Sequence, residues 1–181
     1  KKNVLAKKLN AVETLGSVSM ICTDKTGTIT KNELVVTKII LAKKEIEVSG
    51  VGFKPEGDFR WNGMNLSPKD ESALDLILKV GYLCNDAELA IKEGQYRVIG
   101  DPTEGASIVA AEKFYHNDGQ KLYSQEKKVD ELPFSSDRMR MSVVFENEKK
   151  EKYSYVKGSP EKILELSQFL EINGKVVSLD E

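Results

Sequence analysis

Cysteine is scarce in this sequence: Cys22 and Cys84 are its only two, far apart and outside any C-x-x-C spacing. That pattern excludes a disulfide framework and a cysteine-based zinc cluster, and points to a reducing, cytosolic environment. Long apolar runs are missing too, and nothing approaches the roughly 18 residues that a membrane-spanning helix requires. There is no surplus of positive charge, with 27 Lys and Arg against 29 Asp and Glu and a net charge of −2, so no nucleic-acid partner is expected. Histidine occurs once, at His116. Internal repeats and low-complexity tracts are absent, and the charge run over residues 146–152 alternates in sign as a solvated turn does. The chain opens on Lys1 with no charged and apolar leader, which reads as a soluble piece of a longer protein. What is present, 181 residues of which 40% are hydrophobic, suffices for one core of ordinary size or one and a fraction domains.

Val18-Ser19-Met20-Ile21-Cys22 is short, apolar and β-branched, and reads as a buried strand feeding the polar loop Asp24-Lys25-Thr26-Gly27-Thr28. Residues 34–61 alternate apolar runs (35–41, 45–48) with Gly50, Gly52, Pro55-Glu56-Gly57 and Asn62-Gly63, the rhythm of antiparallel strands and turns. Three helix starts follow. Ser67-Pro68-Lys69-Asp70-Glu71 offers an N-cap, a proline and first-turn acids ahead of Leu74, Ile77, Leu78 and Tyr82. The pattern recurs at Asp101-Pro102-Thr103-Glu104 and at Ser159-Pro160-Glu161. Asn147-Glu148-Lys149-Lys150 and Asn173-Gly174 each divide a pair of short apolar runs, as hairpin turns do.

Asp-Lys-Thr-Gly-Thr is expected by chance on the order of one time in ten thousand in a chain this long. An aspartate at the carboxyl end of a strand faces the crevice in which α/β sheets bind ligands. Already ionised at neutral pH, Asp24 can attack a phosphoryl group without a general base. Gly27 lets backbone amides approach phosphate oxygens, while Lys25, Thr26 and Thr28 supply charge and donors. The rival reading is a polar loop in which Asp24 makes an Asx-turn and Gly27 permits a positive φ.

The sequence resembles the P-type ion-pumping ATPases, whose phosphorylation motif stands here at residues 24–28 and continues as Ile29-Thr30-Lys31-Asn32. Residues 7–16 are similar to the segment that leaves the membrane in that family. Gly100-Asp101-Pro102-Thr103-Glu104, Leu132-Pro133-Phe134-Ser135-Ser136-Asp137-Arg138 and Lys157-Gly158-Ser159-Pro160-Glu161 resemble nucleotide-domain motifs of its calcium-pump-like and sodium-pump-like branch. The resemblance implies an α/β fold. Residues 1–31 would be the first strand and loop of a haloacid-dehalogenase-like phosphorylation domain. Residues 32–181 would be most of an inserted nucleotide-binding domain, an antiparallel sheet flanked by helices.

It further implies that Asp24 is the phosphorylated residue and that Mg2+ is held by the Asp24 carboxylate and the Thr26 carbonyl. ATP would bind with adenine on Phe134, Lys157 and Gly158 at the pocket mouth and Glu104 at the base. Each has a plain rival: Phe134 as a core aromatic, Glu104 as a capping-box acid, Lys157 as a solvated strand end. Where the family often places a lysine near the phosphates this chain has Met139, flanked by Arg138 and Arg140, either of which can substitute. Strand alternation would turn both arginines away from the direction of Met139. His116 is not followed by proline, unlike the histidine of heavy-metal pumps, and reads as a surface residue at a helix C-terminus.

Thr-Gly-Asp and Gly-Asp-Gly-x-Asn-Asp, the family's remaining motifs, are absent. The expectation is therefore a cytosolic fragment of a multi-pass membrane protein that does not turn over ATP alone. Its partners would be ATP, the rest of the phosphorylation domain, the actuator domain and, through the membrane domain, a cation. A haloacid-dehalogenase-like phosphatase would place a general acid where Thr26 stands. A non-catalytic nucleotide-binding module is the other alternative.

Overall fold

The computed structural model of the protein describes residues 9–67, 71–116, 119, 123, 127–172 and 174–179. The chain divides into two compact units, Lys1–Asn32 and Glu33–Glu181. The first holds helix α1 (Leu9–Ser17), in which Thr14 Oγ1 donates to the Asn10 carbonyl at 2.9 Å. Residues 18–24 are irregular, with Met20 and Ile21 each 79% exposed, so the strand expected there is not formed. A strand needs a neighbour for its backbone N–H and C=O groups, and no strand pairs with this segment among the described residues.

The second unit begins with four antiparallel strands in sequential order. They are β1 (Lys38–Leu41), β2 (Lys44–Val48), β3 (Phe59–Trp61) and β4 (Met64–Asn65). The turn between β3 and β4 is Asn62-Gly63, both at positive φ, as a two-residue hairpin demands. Helix α2 (Ser72–Leu83) follows, and its start differs from expectation. Glu71, extended at φ −149 and ψ 97, occupies the N-cap position without a side-chain cap, because its carboxylate is paired with Lys44. Residues 68–70, on which the expected proline-led start falls, lie outside the described residues.

A hairpin, β5 (Glu88–Lys92) and β6 (Gln95–Ile99), leads into helix α3 (Pro102–Phe114). Here the sequence pattern holds: the Asp101 carboxylate accepts from the Thr103 and Glu104 amides at 2.8 and 3.2 Å. Helix α3 ends at Phe114, and His116 stands just beyond it, exposed and at φ 52.

Three antiparallel strands follow: β7 (Lys127–Ser135), β8 (Arg140–Glu146) and β9 (Lys152–Gly158), with β8 central. Helix α4 (Pro160–Leu166) is capped by Ser159, whose hydroxyl accepts from the Lys162 amide. The hairpin β10 (Phe169–Ile172) and β11 (Lys175–Ser178) closes the described chain. Antiparallel sheets with flanking helices are the expected α/β class.

Helix α2 serves two cores. Leu74 and Leu78 join Ala110, Ala111 and Phe114 of α3 against Ile39, Ile46, Val48 and Phe59 of the first sheet. Phe59 and Phe114 meet edge to face, 4.8 Å between ring centres, worth about 0.5–1.5 kcal/mol beyond burial. At the other end of α2, Val80, Leu83 and Cys84 pack on Met141, Val143 and Phe145, the inward row of β8. This second core is the floor of the site described next.

Candidate functional site

The Asp24 loop is a compact turn. The Ile29 and Thr30 amides both donate to the Lys25 carbonyl at 3.0 Å, and the Gly27 amide donates to Thr30 Oγ1 at 3.3 Å. Gly27 takes φ +75, the left-handed conformation that a side chain disfavours. Asp24, Lys25, Thr26 and Thr28 are all exposed. The Asp24 carboxylate and the Thr26 carbonyl offer two oxygen ligands. That suits Mg2+, which is commonly held by one or two protein oxygens together with substrate phosphates and water. Among the described residues no group of three or more His, Cys, Asp or Glu gathers as a complete metal cage.

In the second unit, Lys157 and Glu104 come together. Lys157 lies opposite Met141 in the β8–β9 register, and paired residues share a face, so it stands on the inner face of the sheet. Its Nζ donates to Glu104 Oε1 at 2.8 Å. Glu104 Oε2 accepts from the Asp86 amide at 3.1 Å. Glu104 thus sits in the first turn of α3 without reaching back as a capping box, for both carboxylate oxygens are engaged elsewhere. Beneath them lies the Cys84 thiol, its Sγ 3.5 Å from the Tyr155 carbonyl oxygen and 3.8 Å from that of Met141. Burial pushes this thiol's pKa up. Asp86 is raised as well, first by desolvation and then by the charges of Glu131 and Glu104. A groove of about 710 Å³ that touches Lys157 and Gly158 is lined mainly by apolar residues of the first sheet and α2, such as Ile39, Leu41 and Ile77, and neither Glu104 nor Phe134 lines it.

Phe134 lies on β7 where the register breaks: Leu132 pairs with Ser142 and Ser135 with Arg140, leaving Pro133 and Phe134 opposite Met141 alone. A proline is tolerated at such a bulge on an edge strand. The Phe134 ring is 62% exposed, so it is not a core aromatic. Gly158 pairs with Arg140. A Cβ there would lie 2.8 Å from Arg140 Cα and inside the van der Waals envelope of the Met139 carbonyl oxygen, which explains the glycine.

The arginines sit differently from expectation. Residues 136–139 form the turn between β7 and β8, with Met139 at φ 51, so strand alternation does not extend through Arg138. The Arg138 guanidinium donates to the Pro133 carbonyl at 3.4 Å and to Ser142 Oγ at 3.2 Å, and Arg140 donates to the Arg138 carbonyl at 3.1 Å. Ser142 and Arg140 belong to the row of β8 that alternates with Met141, so the sheet separates Arg140 from Lys157 by face. Sequence reasoning overlooked Asn85. Its carboxamide donates to the carbonyls of Gly81 and Glu104, both at 2.9 Å, and its Oδ1 accepts from the Ala87 amide at 2.8 Å. The only sequence cue was an Asn directly after the end of an apolar helix.

Residues 73–181 match the family model described as the P-type ATPase cytoplasmic domain N. The chain is 37% identical over 174 residues to a calcium-transporting ATPase of Bacillus subtilis, covering 96% of this chain and 19% of that protein. It is 37% identical over 188 residues to the cation-transporting ATPase pma1 of Synechocystis, covering 99% and 20%. To the endoplasmic reticulum calcium ATPase srcA of Aspergillus fumigatus it is 38% identical over 198 residues, covering 93% and 20%. The chain therefore spans about a fifth of the length of the curated relatives it matches.

Proposed function

Because the chain belongs to the P-type ATPases, a family of ATP-using cation transporters, we propose that it carries two parts of one catalytic cycle: residues 1–31 the phosphate acceptor, and residues 32–181 the nucleotide-binding site. The observation that carries the reading is the meeting of Lys157 with Glu104 beside the β7 bulge that exposes Phe134. Three motifs distant in sequence supply a cation, an acid and an open aromatic face around one end of one sheet. An aromatic face suits adenine, and a lysine suits polyphosphate.

In this reading adenine stacks on Phe134, Glu104 contacts the base, and Lys157, with Gly158 keeping the backbone low, lines the way to the phosphates. One of Arg138 and Arg140 takes the place of the lysine expected where Met139 stands; it must give up its present hydrogen bonds, and Arg140 must also turn from the face of β8 opposite to that of Lys157. The Asp24 carboxylate oxygen attacks the γ-phosphorus while the bond to the β–γ bridging oxygen breaks. ADP departs, and an aspartyl phosphate is left on Asp24. Lys25 and the Thr26 and Thr28 hydroxyls steady the charge on the phosphoryl oxygens. Mg2+, on Asp24 and the Thr26 carbonyl, supplies charge neutralisation of the transferring group when bound. Thr26, whose hydroxyl is far too weak an acid to act as a general acid, favours a long-lived acyl phosphate over rapid hydrolysis.

The parent protein is a cation pump of the calcium-transporting kind, an assignment supported by the names of the relatives. The chain's partners are then the remaining phosphorylation and actuator domains, and its place is the cytosolic side of a membrane. Calorimetric titration with ATP tests the site: wild type binds, weakly, in the range of roughly 0.1–1 mM. Phe134→Ala and Lys157→Ala, folded by circular dichroism, bind far less. A folded wild type that binds no ATP would sink the reading.

A further inference from the structure

We infer that Asn85 is a positioning residue for this site: its carboxamide clamps the first turn of α3 to the end of α2, so that the Glu104 carboxylate is held toward Lys157. The inference rests on the nucleotide reading and adds to it a residue that acts through Glu104 without touching the ligand.

Asn85 follows Cys84, the residue that closes α2. Both of its amide hydrogens are used on carbonyls of different helices, Gly81 of α2 and Glu104 of α3, each at 2.9 Å. Its oxygen is fixed by the Ala87 amide at 2.8 Å, so the carboxamide has one orientation that satisfies all three bonds. The next residue completes the hold. The Asp86 amide binds Glu104 Oε2 at 3.1 Å, which leaves Oε1 for Lys157 Nζ at 2.8 Å. Residues 85 and 86 thus grip Glu104 at both ends, at its backbone carbonyl and at one carboxylate oxygen. A glutamate has three side-chain torsions, and ordering them costs free energy at the moment of binding unless the protein has ordered them beforehand. Aspartate in place of Asn85 keeps the shape but donates to neither carbonyl, and it sets a charge against two carbonyl oxygens.

The test is a double-mutant cycle on the 181-residue chain, read by calorimetric titration with ATP, with circular dichroism on every variant. Asn85→Asp is expected to weaken ATP binding by about 5- to 10-fold, the worth of one or two neutral hydrogen bonds. Glu104→Ala is expected to weaken it at least as much. In the Glu104→Ala background Asn85→Asp adds less than about a twofold further loss, because its effect runs through Glu104. Wild-type affinity in Asn85→Asp, or losses that multiply in the double variant, would overturn the inference while leaving the nucleotide site standing. If Asn85→Asp does not fold, Asn85→Ser, which retains one donor, takes its place in the cycle, and the same outcomes support or overturn the inference. No binding by folded wild type would overturn the nucleotide reading, and this inference with it.

Discussion

Lys157, the penultimate residue of β9, and Glu104, the third residue of α3, stand 53 residues apart in sequence and 2.8 Å apart in space. The pair is neither fully buried nor free in solvent, with side chains 28% and 19% exposed. Such a pair adds little to stability, about 0–1 kcal/mol, because screening and side-chain entropy offset the attraction. In the proposed nucleotide site, its worth would lie in holding a cation and an acid at fixed positions.

Lys157→Ala should therefore lower stability by less than about 1 kcal/mol in urea unfolding. The same variant should lose about tenfold or more in ATP affinity, the scale of a charge-assisted hydrogen bond. A large loss of stability with unchanged ATP binding would reverse the assignment and make the pair structural.

Two phenylalanines should behave in opposite ways. Phe134→Ala removes a ring that is 62% exposed, so unfolding should shift by no more than about 0.5 kcal/mol. ATP affinity should fall by about tenfold or more, as loss of base stacking does. Phe114→Ala removes a ring 3% exposed and set against Phe59, and should cost about 3–5 kcal/mol of stability. Denaturant titrations of the two variants side by side decide it.

Gly158→Ala should destabilise by about 1–3 kcal/mol, since the new methyl must push the backbone at Met139 and Arg140. Met139 ends the turn that follows β7 and Arg140 begins β8, so the shift propagates toward Phe134. A melting temperature equal to that of wild type would show that the close approach is relieved without cost.

Asp101 makes the start of α3 sensitive to acid. The amide of Glu104, and then the hydroxyl and amide of Thr103, hold its carboxyl below the usual aspartate range. A native carboxyl that binds its proton less readily than the unfolded one stabilises the fold above the unfolded value, near pH 4, and loses that contribution as pH falls through the native value. Asp101→Ala should cost about 1 kcal/mol at neutral pH. Unfolding curves collected from pH 7 down to pH 3 should show the gap between the two proteins narrowing below about pH 4. A gap independent of pH would mean that the cap acts without its charge.

Helix α3, helix α4 and the β8–β9 hairpin were legible because their signals are local. An N-cap, a following proline and a charged turn act over a few residues and need no distant partner. The strand expected at residues 18–22 failed for the converse reason: apolar β-branched residues favour an extended chain, but only a neighbouring strand can use its backbone. The start of α2 was misread because Glu71, its N-cap, answers to Lys44 of β2, a tertiary contact invisible along the sequence. The β5–β6 hairpin was overlooked although Glu93-Gly94, both at positive φ, is a two-residue turn of the same kind as Asn62-Gly63. In the site, the residue types at Phe134, Lys157 and Glu104 were visible as motifs. The arginine arrangement was not, because a turn with Met139 in the left-handed region has no face alternation to extrapolate.

The two cysteines divide the chain's chemistry in time. Cys22 is exposed, whereas Cys84 is closed beneath Lys157, where burial pushes its thiol's pKa up. A thiol reagent in excess should modify the first before the second, which it reaches only when local opening of the second core exposes Cys84. The lag between the two modifications is therefore a clock for that opening, and the clock slows whenever something bound at the rim of the site holds the helices shut.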